Sequence, residues 1–159
     1  MCVRNAVPAE AVPLDDYANI IDQLIVLSEA RPTDRITVTG HRKLDIFIGL
    51  CRRGFLNATC RTAAECPHTA DNSADSLWIV GTSNAAELRT LIARCARDLR
   101  KGGSLVVSLD SAAAAAEGKL VLGAVLSRCG FTPVRRMIWP GRVLLLCERR
   151  ANVNSALAA

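Results

Sequence analysis

The chain has 159 residues, half of them apolar and 22% charged, which fits one folded domain with a real core and excludes a disordered chain. No apolar run approaches the roughly 20 residues of a membrane span, and the start Met1-Cys2-Val3-Arg4-Asn5 lacks the apolar core of an export signal, so no membrane contact and a cytoplasmic location are expected. The net charge of +5 is scattered in pairs such as Arg52-Arg53, Arg135-Arg136 and Arg149-Arg150, and only 4% of residues are aromatic, a poor basis for a surface that stacks single-stranded bases.

Residues 1–14 contain Pro8 and Pro13, show no period and read as a flexible lead-in. Tyr17, Ile20, Ile21, Leu24 and Leu27 then recur at helical spacing, with Asp15 or Asp16 placed to cap the start. This helix covers the sheet or meets a partner. Ile36 to Thr39 form a β-branched strand. After the loop Gly40-His41-Arg42-Lys43, Asp45 is placed to cap a helix carrying Ile46, Phe47, Leu50 and Cys51, closed by Gly54. Phe55 to Thr62 read as a second strand, residues 67–74 as a polar turn, and Leu77 to Val80 as a buried strand ended by Gly81.

Asn84 and Glu87 make a capping box for the next helix, whose apolar face runs Leu88, Leu91, Ile92, Cys95, Ala96 and Leu99. Gly102-Gly103 ends it and releases the strand Ser104 to Leu109. The alanine run 112–116 is low in complexity, Lys119 to Cys129 is helical and stops at Gly130, and Val134–Trp139 with Arg142–Glu148 flank the turn Pro140-Gly141 as a hairpin. The tail 151–159 reads as frayed. Domain organisation is therefore a single α/β unit over 15–150.

Alternating strands and helices predict a doubly wound, mostly parallel sheet covered on both sides. The run Val143-Leu144-Leu145-Leu146-Cys147 is apolar at successive positions, as in a strand buried on both faces. The last strand should therefore lie inside the sheet, antiparallel to its hairpin partner.

Seven cysteines at irregular spacing, with no Cys-x-x-Cys pair, read as reduced thiols. Cys51 and Cys95 fall on apolar helix faces and read as core. Cys60, Cys66 and His68 match no common zinc pattern, so no metal site is assigned. Trp78 and Trp139 read as packing residues.

Three stretches carry a resemblance. Asp75-Ser76-Leu77-Trp78-Ile79-Val80, Leu99-Arg100-Lys101-Gly102-Gly103-Ser104-Leu105-Val106-Val107 and Leu126-Ser127-Arg128-Cys129-Gly130-Phe131, with the closing hairpin, are similar to the second half of the class I S-adenosylmethionine-dependent methyltransferases. The resemblance implies a Rossmann-like fold and a cofactor cleft at the strand ends. In that family the first strand leads into D/E-x-G-x-G-x-G. Here the acid falls on Thr39 and the first glycine on Gly40, while the other two positions hold Arg42 and Leu44. The acid expected after the second strand is absent from Cys60-Arg61-Thr62, leaving Glu65 as its substitute. Between Cys66 and Asp75 there is no room for the family's third strand and the helix before it. After the fourth strand, Gly81-Thr82-Ser83-Asn84 lacks the Asn/Asp-Pro-Pro-Tyr motif.

The expectation is thus a shortened methyltransferase-like domain that has lost catalysis and acts as a binding or regulatory module, with a protein partner or a homodimer. No cofactor is expected. If S-adenosylmethionine binds, Thr39, Gly40, Glu65 and Gly81 are the cofactor residues and the chain is a divergent methyltransferase. His41, Arg42 and Lys43 stand at the carboxyl end of a strand and before a helix N-terminus, where anions are favoured. They read as an anion pocket, which keeps a nucleic-acid-binding module as a second alternative. His41 is positioned as a general base, yet no acid has an evident sequence relation to it, and no catalytic residue is assigned.

Overall fold

Six strands form one sheet in the order β2-β1-β3-β4-β6-β5. The computed structural model describes residues 14–66, 72–82, 84–110 and 121–150. The lead-in before Leu14, the tail 151–159, the alanine run and His68 lie outside the described residues. In chain order the elements are α1 (Leu14–Ser28), β1 (Ile36–Thr39), α2 (Lys43–Arg52), β2 (Thr59–Cys60), β3 (Ala74–Thr82), α3 (Ala85–Cys95), a 3₁₀ turn (Ala96–Asp98), β4 (Leu99–Asp110), α4 (121–128), β5 (Phe131–Trp139) and β6 (Arg142–Arg149).

The doubly wound expectation holds. β2, β1, β3 and β4 run parallel, and β6 lies antiparallel between β4 and β5. Val143 to Cys147 are all buried, as the unbroken apolar run requires. Pro140-Gly141 makes the two-residue turn, with Trp139 opposite Arg142 and Gly141 at φ +75°.

Alternation along the strands splits the core into two layers. Ile36, Val38, Trp78, Val80, Val106 and Leu144 meet Ile20, Ile21, Leu24 and Leu27 of α1 and Ile46 and Leu50 of α2. Leu77, Ile79, Leu105, Val107, Leu145 and Cys147 meet Leu88, Leu91 and Ile92 of α3 and Leu126 of α4. The first helix is therefore a cover for the sheet, and Trp78 is a packing residue with no exposed surface.

Several boundaries differ from the sequence reading, each for a local reason. α1 as described runs from Leu14, so Asp15 and Asp16 lie within it. α2 begins at Lys43 with Arg42 as N-cap, which puts Asp45 inside the first turn. Its end is as expected: Gly54 at φ +84° sends its N–H to Cys51 O, and Phe55 sends its own to Leu50 O at 3.1 Å. Cys51 is exposed on α2, not core. Within Phe55–Thr62 the strand is limited to Thr59 and Cys60, with Arg61 N–H also donating to Val38 O of β1, and Phe55 turns into the α1–α2 layer. α3 stops at Cys95, and Leu99 opens β4 opposite Ala74. Register jumps from that pair to Ser76–Ser104, so Arg100 to Gly103 bulge out, with Gly102 at φ +77°. The glycine pair serves this bulge and ends no helix.

At the base of the sheet Asp75 binds the backbone N–H of Arg35 at 2.8 Å and the guanidinium of Arg100. These contacts, the backbone bond first, hold its carboxyl below the usual range. No helix of the described residues is long and apolar enough to cross a membrane.

Leu24 has no exposed surface and sits at the centre of the α1 contact. Leu24→Ala should cost about 2–5 kcal/mol in urea unfolding. A loss below about 0.5 kcal/mol, the size of an ordinary surface change, would mean that α1 does not hold the sheet.

Candidate functional site

Strand order reverses between β1 and β3: from β1 the chain moves outward through α2 to β2, then returns past β1 to β3. Open α/β sheets bind ligands in the crevice outside the carboxyl ends at such a point. Thr39, Gly40, His41 and Arg42 leave β1 there, Gly81 and Thr82 leave β3, and Asn84 to Glu87 begin α3.

The two chains leaving β1 and β3 lie directly on one another. Gly40 has φ +103°, and a Cβ on it would stand 2.2 Å from Val80 O. Only glycine fits. Two residues on, the Arg42 N–H points to the same Val80 O at 3.4 Å. A Cβ on Gly81, at φ +73°, would meet Arg42 Cγ at 3.0 Å. The stem of Arg42 therefore rests on Gly81 across the crevice.

Thr39 is fully buried, its hydroxyl beside the Cys95 thiol, so the residue at the acid's position points into the α3 layer. Burial pushes that thiol up, and it pushes the Cys147 thiol up to about 12, so both behave as core fillers. Glu65 does curl back at the end of β2. Its Oε2 accepts the Thr62 N–H at 2.6 Å while Thr62 Oγ1 accepts the Glu65 N–H at 3.3 Å. Thr62-Ala63-Ala64-Glu65 is thus a capping box that the sequence reading passed over. The Thr62 backbone bond first, with Lys43 and Arg61 nearby, holds the exposed Glu65 carboxyl below its ordinary range. Of Thr39, Gly40, Glu65 and Gly81, the two glycines meet at Val80 and Arg42, Thr39 is internal, and Glu65 is engaged with its own turn.

The basic loop has carboxylates around it. His41 Nε2 lies 2.7 Å from Glu87 Oε1, and Arg42 Nη1 lies 3.8 Å from Asp45 Oδ2. Lys43 sits close enough to Glu65 and Cys60 to influence both. Glu87 was foreseen as half of a capping box, and Asn84 Oδ1 does accept the Glu87 N–H at 2.8 Å. Its carboxylate, however, reaches across to the loop after β1. Nothing local in sequence signals that contact, because 46 positions separate His41 from Glu87 (87 less 41).

Solved structures share this architecture. A geranyl diphosphate methyltransferase in complex with SAM is 11% identical, with a TM-score of 0.60 over 92% of this chain and 93% of that one. Magnesium protoporphyrin IX methyltransferase from Synechocystis PCC 6803, with bound SAM, is 11% identical with a TM-score of 0.58 over 86% and 79%. This chain has a class I methyltransferase-like fold. The cyclase SpnF has the same kind of fold, at 12% identity and a TM-score of 0.59 over 85% of this chain and 82% of that one. No family model and no curated protein sequence matches the chain. At these identities the likeness concerns fold alone, and it spans both halves of the domain, including the half whose motif is degenerate.

The Gly40–Val80 contact gives a direct test of this junction. Gly40→Ala should destabilise the protein on the order of 3 kcal/mol, from strained φ and the clash with Val80 O together. A melting temperature equal to that of the wild type would show that β1 and β3 can part at no cost.

Proposed function

We propose that this chain is a methyltransferase-like domain that has lost methyl transfer and acts as a binding or regulatory module. One observation carries the reading: the stem of Arg42 lies on Gly81, in the crevice that would have to admit the methionyl part of S-adenosylmethionine. That cofactor needs close backbone approach after β1, which glycines allow and a long side chain at that position does not. Thr39, turned into the core, offers no acceptor to its amino group, and the Glu65 carboxylate is held by the Thr62 N–H. The residues as arranged do not fit the cofactor.

A protein partner or a second copy of the chain belongs to the same proposal. Its support is the apolar stripe left open on α2, where Leu44 is 60% and Ile48 47% exposed. The nucleic-acid alternative draws no support from the loop, since His41 and Arg42 each face a carboxylate. A divergent methyltransferase is the second reading. It is favoured by one observation, the return of Glu65 to the end of β2 beside Lys43.

Titration calorimetry with S-adenosylmethionine and S-adenosylhomocysteine separates the two. Arg42 is an N-cap residue with no side-chain capping bond, and glycine is accepted at that position, so Arg42→Gly should fold. The wild type should give no binding up to about millimolar ligand and Arg42→Gly measurable binding. A dissociation constant for the wild type on the order of micromolar, about −8 kcal/mol, would overturn the proposal and restore the enzyme.

A further inference from the structure

A second concave site lies at the opposite end of the sheet. Arg35 immediately precedes β1, Asn57 stands just before β2, and Asp98 immediately precedes β4; together with Thr37, Thr59 and Arg61 they line a cavity of about 320 Å³. That is at the small end of the roughly 300–1,000 Å³ usual for small-molecule sites. It opens on the α3 side of β1 and β2, a face that α3 itself does not reach as far as Thr59, which is exposed.

The walls are built from groups with complementary tasks. The Asp98 side chain is 4% exposed, and Arg61 Nη1 donates to its Oδ2 at 3.0 Å. A buried carboxylate demands such a partner, and in return it fixes the Arg61 guanidinium on the cavity wall. The backbone N–H of Arg61 donates to Val38 O at 3.0 Å, the other guanidinium nitrogens make no hydrogen bond among the described residues, and a third of the side chain is open to solvent. Across the cavity, Arg35 is exposed and its guanidinium forms no ion pair within 4 Å among the described residues. Between them the Thr37 and Thr59 hydroxyls are 3.3 Å apart, and Asn57, anchored through its Nδ2 on Thr33 O at 3.0 Å, keeps its carbonyl oxygen for other donors.

Two guanidiniums and one buried carboxylate belong to the lining itself, while Asp75 near Arg35 and Glu65 near Arg61 lie outside it. A pre-fixed arginine facing a free one is the arrangement that grips a tetrahedral oxyanion through several charged hydrogen bonds. Adjacent hydroxyls and an amide oxygen suit a polyol. We propose that this cavity binds a small sugar phosphate, its phosphomonoester between Arg35 and Arg61 and its hydroxyls on Thr59 and Asn57. The site is independent of the crevice between β1 and β3 and of whether that crevice holds any cofactor.

Calorimetry on the full chain with ribose 5-phosphate, ribose and inorganic phosphate tests it. Ribose 5-phosphate should bind about tenfold more tightly than either fragment, since each fragment lacks half of the contacts. Arg35→Gln, at an exposed position, should keep the wild-type melting curve and lose about tenfold in affinity for ribose 5-phosphate. Thr59→Val, which keeps a β-branched side chain in the strand, should narrow the advantage over inorganic phosphate. No heat from ribose 5-phosphate at millimolar concentration, or an Arg35→Gln variant that binds it as well as the wild type, would overturn the proposal.

Discussion

The contact between Gly40 and Val80 O is the constraint on which the rest of this domain depends. Two parallel strands leave the sheet side by side, and the chain after β1 crosses the end of β3 at a distance that excludes even a methyl group. Because the crossing is so close, α2 starts directly over it, and Arg42 has nowhere to go but onto Gly81. From that placement follow the direction of His41 toward α3 and the position of Lys43 near the end of β2. A single backbone approach thus shapes both the start of α2 and the carboxyl-end edge of the sheet.

Charge at that edge is arranged locally. His41 and Arg42 each face a carboxylate, Glu87 and Asp45, and Lys43 lies near Glu65. Pairs this exposed contribute little to stability, so their effect is on what the edge attracts. A loop that looks basic when read residue by residue presents a mixed surface in three dimensions. The cavity at the other end differs in kind, since its carboxylate is buried against a half-buried Arg61 while Arg35 is exposed.

What the sequence revealed, and what it hid, divides along range. Apolar runs and periods reported the layers correctly, because burial on one face or two is written into every second or every third and fourth residue. Val143 to Cys147 announced an interior strand, and Ile20 to Leu27 an amphipathic helix whose apolar face the structure lays on the sheet. Glycine signals were right where a single residue needs positive φ, as at Gly54 and Gly141. They misled at Gly102-Gly103, where the same preference serves a bulge inside a strand. The partners of His41 and Arg61 were invisible, since neither Glu87 nor Asp98 bears a fixed sequence offset to them. Cys51 was misjudged because α2 is apolar on more of its circumference than it buries.

The inward place of β6 also has a consequence for how the domain is made. Residues 142–149 hydrogen-bond to β4 on one side and β5 on the other, yet they are synthesised after the other five strands of the sheet. Until they arrive, the edge of β4 from Ser104 to Asp110 stands unpaired and apolar on both faces over Leu105 to Val107. The nascent chain therefore carries a sticky, half-finished sheet from the completion of β4 until β6 is made. A product that terminates before the hairpin would keep that edge, and chaperones or proteases would meet it in place of a native protein.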